Sequence, residues 1–409
     1  MHTKSSPIRA LLSGASVAVI GDLLARALSL ILTILVTRRL GPTLYGEYTS
    51  ILASLALVSS VIGFGLDTWL LREGGRYPTR LLDFSASVLL TKLGAACCVV
   101  LYFTLISNRG QLELAFIVGC LGVLADTALN TGFAALRVHR RNTAVALAQL
   151  TLPGLLLIVL LLLQSTSLMP LTLISIQTGI SWLIALLLFV RGLHLLEGRR
   201  PKINLRLVAV GAWAFVVADL FANVYGQSAT LQLRANADAL SVGLFRAALN
   251  TLNVSYIPPA IIFGVSLPIL SSLLNSKREY VQILRLWVAG ALVYGVLASL
   301  MLGVGAPWII KLVYGPNFTD SAPILQLLSA STLFKTGSFA CALVMLSRGQ
   351  QTLRIVFQCI VMIANLLMGF YLIPAMGMTG AAWVTLGTEI FLFMLYASGA
   401  IWVLSKWKA

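Results

Sequence analysis

The chain has 409 residues, of which 59% are hydrophobic and 10% charged, and its mean hydropathy is +0.94. Average soluble chains carry about 25% charged residues, so this composition excludes a water-soluble fold and describes a polytopic membrane protein. A net charge of +16 would point to nucleic acid in a soluble chain, but here the cations fall in short loops where membrane topology wants them, which removes that reading.

Apolar runs of spanning length are drawn at 12–36, 44–66, 84–106, 112–135, 143–163, 170–190, 207–231, 241–272, 283–304, 321–346, 355–373 and 378–403. They predict an all-α protein of about twelve transmembrane helices. The basic start, Met1 to Arg9, runs into a span too long for a cleaved signal segment, so the first helix is expected to be retained. Alternate loops hold the cations: twenty on one side of the membrane and five on the other, which sets both termini in the cytoplasm. The longest basic interval, Gly192 to Arg206, is the expected linker between an N-terminal six-helix lobe (1–191) and a C-terminal one (207–409). With six spans each, both lobes enter the membrane from the same side, and two facing lobes are expected to leave a central cavity.

A polar seam marks the first span. Asp22, Arg26, Ser29, Thr33 and Thr37 follow one another at helical spacing on a rod that is otherwise Leu and Ile. A shift of 197 residues lays Asp219, Asn223, Gly226, Thr230 and Arg234 on these five positions, and Gly243 and Phe245 on Gly46 and Tyr48. Farther on, Arg137 meets Arg348 at a shift of 211, which implies 14 extra residues in the second half. The chain therefore reads as two homologous halves.

Intramembrane charge is costly, about 2.5–3.5 kcal/mol per residue on insertion scales, so each ionisable group at depth is a candidate for function. The cations are Arg26, Lys92, Arg246 and Lys335, and the acids Asp22, Asp126, Asp219 and Glu389, with Asp67 and Asp83 nearer span ends. Structural alternatives stand beside this reading. Asp22 and Arg26 at i,i+4 make an ion pair of their own, Lys92 and Lys335 have stems long enough to snorkel to opposite membrane faces, and Asp126 and Glu389 can cap or pair with neighbours. Arg246 is harder to explain away, because Asn250 and Asn253 continue its face. The five cysteines lie in apolar runs without a CxxC spacing and the three histidines in loops or the tail, so neither a metal site nor a catalytic residue is expected. Pro258, Pro259 and Pro268 interrupt the eighth run, where either a gate or a static bend fits.

Arg39-Leu40-Gly41-Pro42 followed by Tyr45-Gly46-Glu47-Tyr48 resembles the polysaccharide-biosynthesis transporters, the Wzx-type flippases of lipid-linked oligosaccharides. These belong with lipid II flippases and multidrug exporters to the multidrug/oligosaccharidyl-lipid/polysaccharide exporter superfamily. Gly63-Phe64-Gly65 leading to Leu71-Arg72-Glu73, the basic stretch Arg137 to Arg141, and Tyr314-Gly315-Pro316-Asn317-Phe318 before Ala322-Pro323-Ile324-Leu325 are similar to further family segments. The resemblance implies a MATE-like fold of two alternating lobes in the inner cell membrane and no enzymatic activity. It also implies a cavity lined by the first, second, seventh and eighth helices, and as cargo a glycan on a polyprenyl pyrophosphate, such as an O-antigen or exopolysaccharide unit. On this reading Arg26 and Arg246, with Lys92 or Lys335, hold the pyrophosphate. Asn223, Gln227, Asn250 and Asn253, together with Thr33 and Thr230, meet sugar hydroxyls. Without a nucleotide-binding motif no cofactor is expected, and Asp22, Asp126, Asp219 or Glu389 would exchange H+ or Na+. Membrane lipids, a glycan polymerase and glycosyltransferases are the expected partners. A multidrug exporter of the same superfamily is the nearest alternative. A membrane-embedded polymerase or acyltransferase, or an assembly scaffold, stands further off.

Overall fold

The structure is a computed structural model that describes residues 7–63, 65–106, 111–139, 141–163, 168–193, 201–274 and 276–406. Lys4, Phe64, Arg109, Arg140, Lys408 and the 194–200 part of the expected linker lie outside the described residues. Every described element is helical: α1 (Pro7–Gly63), α2 (Leu66–Arg76), α3 (Leu81–Ile106), α4 (Gln111–Val138), α5 (Asn142–Leu162), α6 (Pro170–Leu193), α7 (Leu205–Asn236), α8 (Ala239–Ser255), α9 (Ile257–Ser272), α10 (Lys277–Val313), α11 (Ser321–Ser329), α12 (Ser331–Ser347) and α13 (Gln351–Ser405). Two short 3-10 turns, Pro78–Arg80 and Pro316–Phe318, complete the set.

Nine continuous helical runs among the described residues are long and apolar enough to span a membrane, which makes this an integral multi-pass membrane protein. Nine runs accommodate the twelve predicted rods because two of them bend at glycine and α7 makes a further rod. Gly41 breaks α1 at φ 68°, and Gly377 breaks α13 at φ 57° and ψ −131°, a region that a side chain with a Cβ rarely enters. The eighth run divides at Tyr256, where Pro258 and Pro259 follow in the first turn of α9. A break at Ala330, between α11 and α12, has no such mark in the sequence.

The repeat is visible in the helix boundaries. The first arm of α1 begins at Pro7 and breaks at Gly41; the same shift of 197 lands on Asn204 and Asp238, which flank α7. The extra residues of the second half sit mostly in α10, which has 37 residues against 26 in α3. Asp238 caps α8 by accepting from the Ser241 N–H at 3.0 Å, and the Ser241 hydroxyl and N–H hold its carboxyl below the usual range.

The chain forms two compact units, residues 1–40 with 51–223, and residues 41–50 with 224–409. In the first, Leu66, Trp69, Leu70, Leu81, Phe84, Val88, Ala134 and Val208 make a buried cluster in which the Trp69 and Phe84 rings meet edge-on. The start of α7 is tied to α3 in this unit, with Lys202 N–H donating to Asp83 Oδ1 at 2.9 Å and Asn204 N–H to Ser87 Oγ at 3.0 Å. In the second unit Leu270, Tyr280, Leu284, Trp287, Leu343 and Val344 belong to the core that holds α9, α10 and α12 to α13. The segment 41–50 joins this unit through a backbone contact. A Cβ on Gly46 would collide with the Ala239 carbonyl, and one on Gly243 with the Pro42 carbonyl. Gly46 and Gly243 are repeat-equivalent, so the two helices cross at the same residue of each repeat, as small-residue crossings in membranes require.

Candidate functional site

Four intramembrane cations were expected to converge on cargo, and their surroundings separate them. Lys92 of α3 is 1% exposed and donates to Asp67 Oδ1 at 2.7 Å, the Thr127 carbonyl at 3.1 Å and Thr131 Oγ1 at 2.9 Å. Its three protons are thus all committed inside the first unit, and Thr131 donates in turn to Asp67 at 3.0 Å. Snorkelling, the structural alternative for Lys92, does not occur, because Asp67 at the start of α2 supplies a counter-charge at depth. Sequence pattern placed Asp67 only near a span end; α2 starting after Gly65 is what carries it to the lysine.

Lys335 of α12 is likewise paired, at 2.7 Å from Glu389 Oε1 of α13. Tyr225 of α7 donates its hydroxyl to the same oxygen at 2.6 Å, and the ammonium stands 5.7 and 5.6 Å from the Tyr225 and Tyr256 ring centroids. Glu389 is buried and its Oε2 has no hydrogen-bond donor among the described residues. Next to this cluster Ser228 donates to Asn365, which donates to Thr388 at 3.0 Å, linking α7 to both arms of α13. The sequence singled out Lys335 and Glu389 for different roles; the fold joins them, with Tyr225 and Tyr256 unforeseen because aromatic residues in apolar runs carry no signal of their own.

Arg246 of α8 differs. It is half-buried in the second unit and no carboxylate pairs with it among the described residues. Its Nη1 reaches Gln227 Oε1 at 3.5 Å and Thr230 Oγ1 at 3.4 Å, both at the long limit for hydrogen bonds, and its buried Nε has no hydrogen-bond partner among the described residues. Asn250, one turn along α8, donates to the Tyr45 hydroxyl at 2.7 Å, and the Tyr45 ring packs edge-on against Phe318. Gln227, Thr230, Arg246, Asn250 and Tyr45 therefore form one polar patch where α7, α8 and the segment 41–50 meet. Asn253, further along, is exposed.

In the first unit Arg26 is exposed on α1. Along the seam Thr33 donates to the Ser29 carbonyl at 2.8 Å and Thr37 to the Thr33 carbonyl at 2.7 Å, so these hydroxyls are spent on their own helix, and Thr37 is fully buried. The side chains of Asp22 and Asp219 lie outside the described residues, although both positions are helical. Asp126 is half-buried on α4 beside Ser181 of α6, and Asn223 is half-buried on α7. No group of His, Cys, Asp and Glu suited to a metal occurs among the described residues.

This helical architecture is similar to that of several solved membrane transporters. It is similar to a lipid II flippase MurJ in an inward closed conformation, at TM-score 0.77 and 12% identity over 93% of this chain and 87% of that one. A multidrug-resistance MATE-family transporter of the MOP superfamily in an inward-facing conformation follows at TM-score 0.70, 13% identity and coverage of 93% and 94%. A MOP-superfamily transporter from Pyrococcus furiosus, described by the reverse polarity of its binding pocket, matches at TM-score 0.67 and 13% identity over 98% and 96%. At such identities the likeness is one of fold. No protein-family model and no curated protein matches the sequence.

Proposed function

We propose that this protein is a flippase that carries a polyprenyl-pyrophosphate-linked oligosaccharide from the cytoplasmic to the outer leaflet of the inner membrane by alternating access, with both termini cytoplasmic. The observation that carries the reading is Arg246: a membrane-embedded guanidinium that, among the described residues, has only long contacts to neutral partners and a buried Nε with no acceptor. A cation left in that state is poised for an external anion, and a guanidinium matches phosphate oxygens in a bidentate way. Gln227, Thr230, Asn250 and Tyr45 offer adaptable hydrogen bonds around it, suited to sugar hydroxyls, with Asn223 and Asn253 on the same two helices.

Lys92 and Lys335 already hold carboxylates, so the phosphate role is assigned to Arg246 together with Arg26. Coupling to H+ or Na+ is assigned first to Glu389, a buried carboxylate whose Oε1 is held by Lys335 and Tyr225 and whose Oε2 has no donor among the described residues; Asp22, Asp126 and Asp219 are further candidates. The protein acts as a transporter, not an enzyme, and receives cargo from glycosyltransferases and delivers it to a polymerase. The multidrug-exporter alternative calls for an acidic, aromatic pocket for cationic drugs, and a lone arginine argues against it.

The test is flipping of a fluorescent polyprenyl-pyrophosphate oligosaccharide by purified protein in liposomes. Arg246→Ala is expected to reduce the initial rate at least tenfold and Arg246→Lys to restore part of it. Unchanged flipping in both Arg26→Ala and Arg246→Ala would remove the phosphate assignment, and efflux of a cationic dye by the wild type would favour the drug exporter.

A further inference from the structure

On the membrane face that the charge asymmetry assigns to the cytoplasm, three helix ends of the second unit surround a cavity of about 220 Å³ lined by Leu274, Arg348, Gln350, Trp402, Val403 and Lys406. Leu274 comes just after α9, Arg348 and Gln350 from the turn between α12 and α13, and the other three from the end of α13. The turn is tightly fixed. Arg348 N–H donates to the Val344 carbonyl at 3.3 Å, Gly349 N–H to Leu346 at 3.0 Å and Gln350 N–H to Met345 at 2.8 Å, with Gly349 at φ 75°. Beneath it the floor is the α9–α10–α12–α13 core, to which Val403, Leu274 and Leu404 contribute. The pocket is therefore a built concavity with two cations at its rim.

We infer that this cavity binds the headgroup phosphate of an anionic phospholipid of the cytoplasmic leaflet, between Arg348 and Lys406. Four features point to a lipid and not to a soluble anion. Both cations flank spanning runs that end at Ser347 and Ser405, which places them at headgroup level. Among the described residues no acidic side chain lines the cavity. Trp402 is 45% exposed, sits where interfacial tryptophans concentrate, and carries the Lys406 ammonium 3.9 Å above its ring. The surface leading away from the rim is apolar and open to acyl chains, with Ile401 68% exposed on α13 and Ile269 45% exposed on α9. Basic pockets between helix ends on this side of a membrane suit anionic headgroups, and neutral lipids supply no matching charge. The inference is independent of the cargo assigned above and concerns a different part of the second unit.

The experiment uses purified full-length protein in detergent, titrated with phosphatidylglycerol, phosphatidylcholine or inorganic phosphate, with retained lipid read by native mass spectrometry and the melting temperature read in parallel. Wild type is expected to retain phosphatidylglycerol preferentially and to be stabilised by it. Arg348→Gln/Lys406→Gln should weaken that binding about 30-fold, the loss expected for two basic groups at a lipid surface. The control Lys277→Gln/Arg278→Gln, at the exposed start of α10 outside the cavity, should leave it unchanged. Equal loss in both double variants would mean diffuse surface charge. Equal stabilisation by inorganic phosphate would mean a soluble-anion site, and equal retention of phosphatidylcholine would mean that the cations play no part; each of these overturns the inference. Should Arg348→Gln fold poorly, Lys406→Gln alone carries the comparison, since Lys406 lies past the end of α13 with its ammonium over the Trp402 ring.

Discussion

Replacing Lys92 with Met keeps the aliphatic stem and removes the ammonium, so the change isolates the ion pair from packing. Truncating one partner of a buried pair costs about 3–5 kcal/mol, because the remaining charge is stranded. Here the stranded group is Asp67, whose side chain is 29% exposed and still accepts from Thr131, so the loss is expected at about 2–3 kcal/mol. Adding Asp67→Asn removes the orphan charge, and the double variant should recover about half of the loss, a coupling of roughly 1–2 kcal/mol. Thermal denaturation in detergent should show the single variant about 5 °C below wild type, at roughly 2 °C per kcal/mol for a chain of this size, with the double variant between them. Flipping per folded molecule should be unchanged. A Lys92→Met variant that melts with wild type, or one that melts normally and loses flipping, would refute the view that Lys92 serves the fold of its unit and not the cargo.

Other expectations follow from the same geometry. Gly46→Ala and Gly243→Ala each force a methyl into a facing backbone carbonyl; each should destabilise by about 3 kcal/mol and broaden the protein peak in size-exclusion chromatography, whereas Gly75→Ala, with open space around it, should not. Gly377→Ala should cost about 1–3 kcal/mol in denaturant melts, because the backbone at the bend of α13 lies outside the regions open to alanine. Glu389→Gln keeps the shape of the Tyr225–Lys335 cluster and removes its exchangeable charge; if Glu389 couples transport, flipping in this variant loses its dependence on an imposed pH gradient, and an unaltered response excludes it. Cysteines placed at Ser276 and Thr319 in a cysteine-free background should label from opposite sides of the membrane, Ser276→Cys only after permeabilisation; the reverse pattern would invert the topology.

Periodicity and charge were enough to predict an all-helical, multi-pass protein, because in hydrocarbon every backbone group must be satisfied within its own segment and only length and apolarity decide what spans. The homology of the two halves was legible in the seam and in Gly46 and Gly243. That those two glycines touch was not, since a sliding comparison reports equivalence and says nothing of proximity. Lys92, Lys335, Arg246 and Glu389 were all visible as misplaced charges, yet a charge in an apolar run looks the same whether its partner is a carboxylate 25 positions away, as for Lys92 and Asp67, or, among the described residues, no carboxylate, as for Arg246. Pairing of that kind depends on which helix faces meet across a unit, and on breaks such as those at Gly65 and Ala330 that set where α2 and α12 begin. The amino-acid sequence by itself determined which segments enter the membrane and which residues are expensive there; only the tertiary packing decided which of those charges meet a carboxylate among the described residues and which do not, because desolvation is a local property of a residue whereas compensation requires a second side chain brought close by the fold.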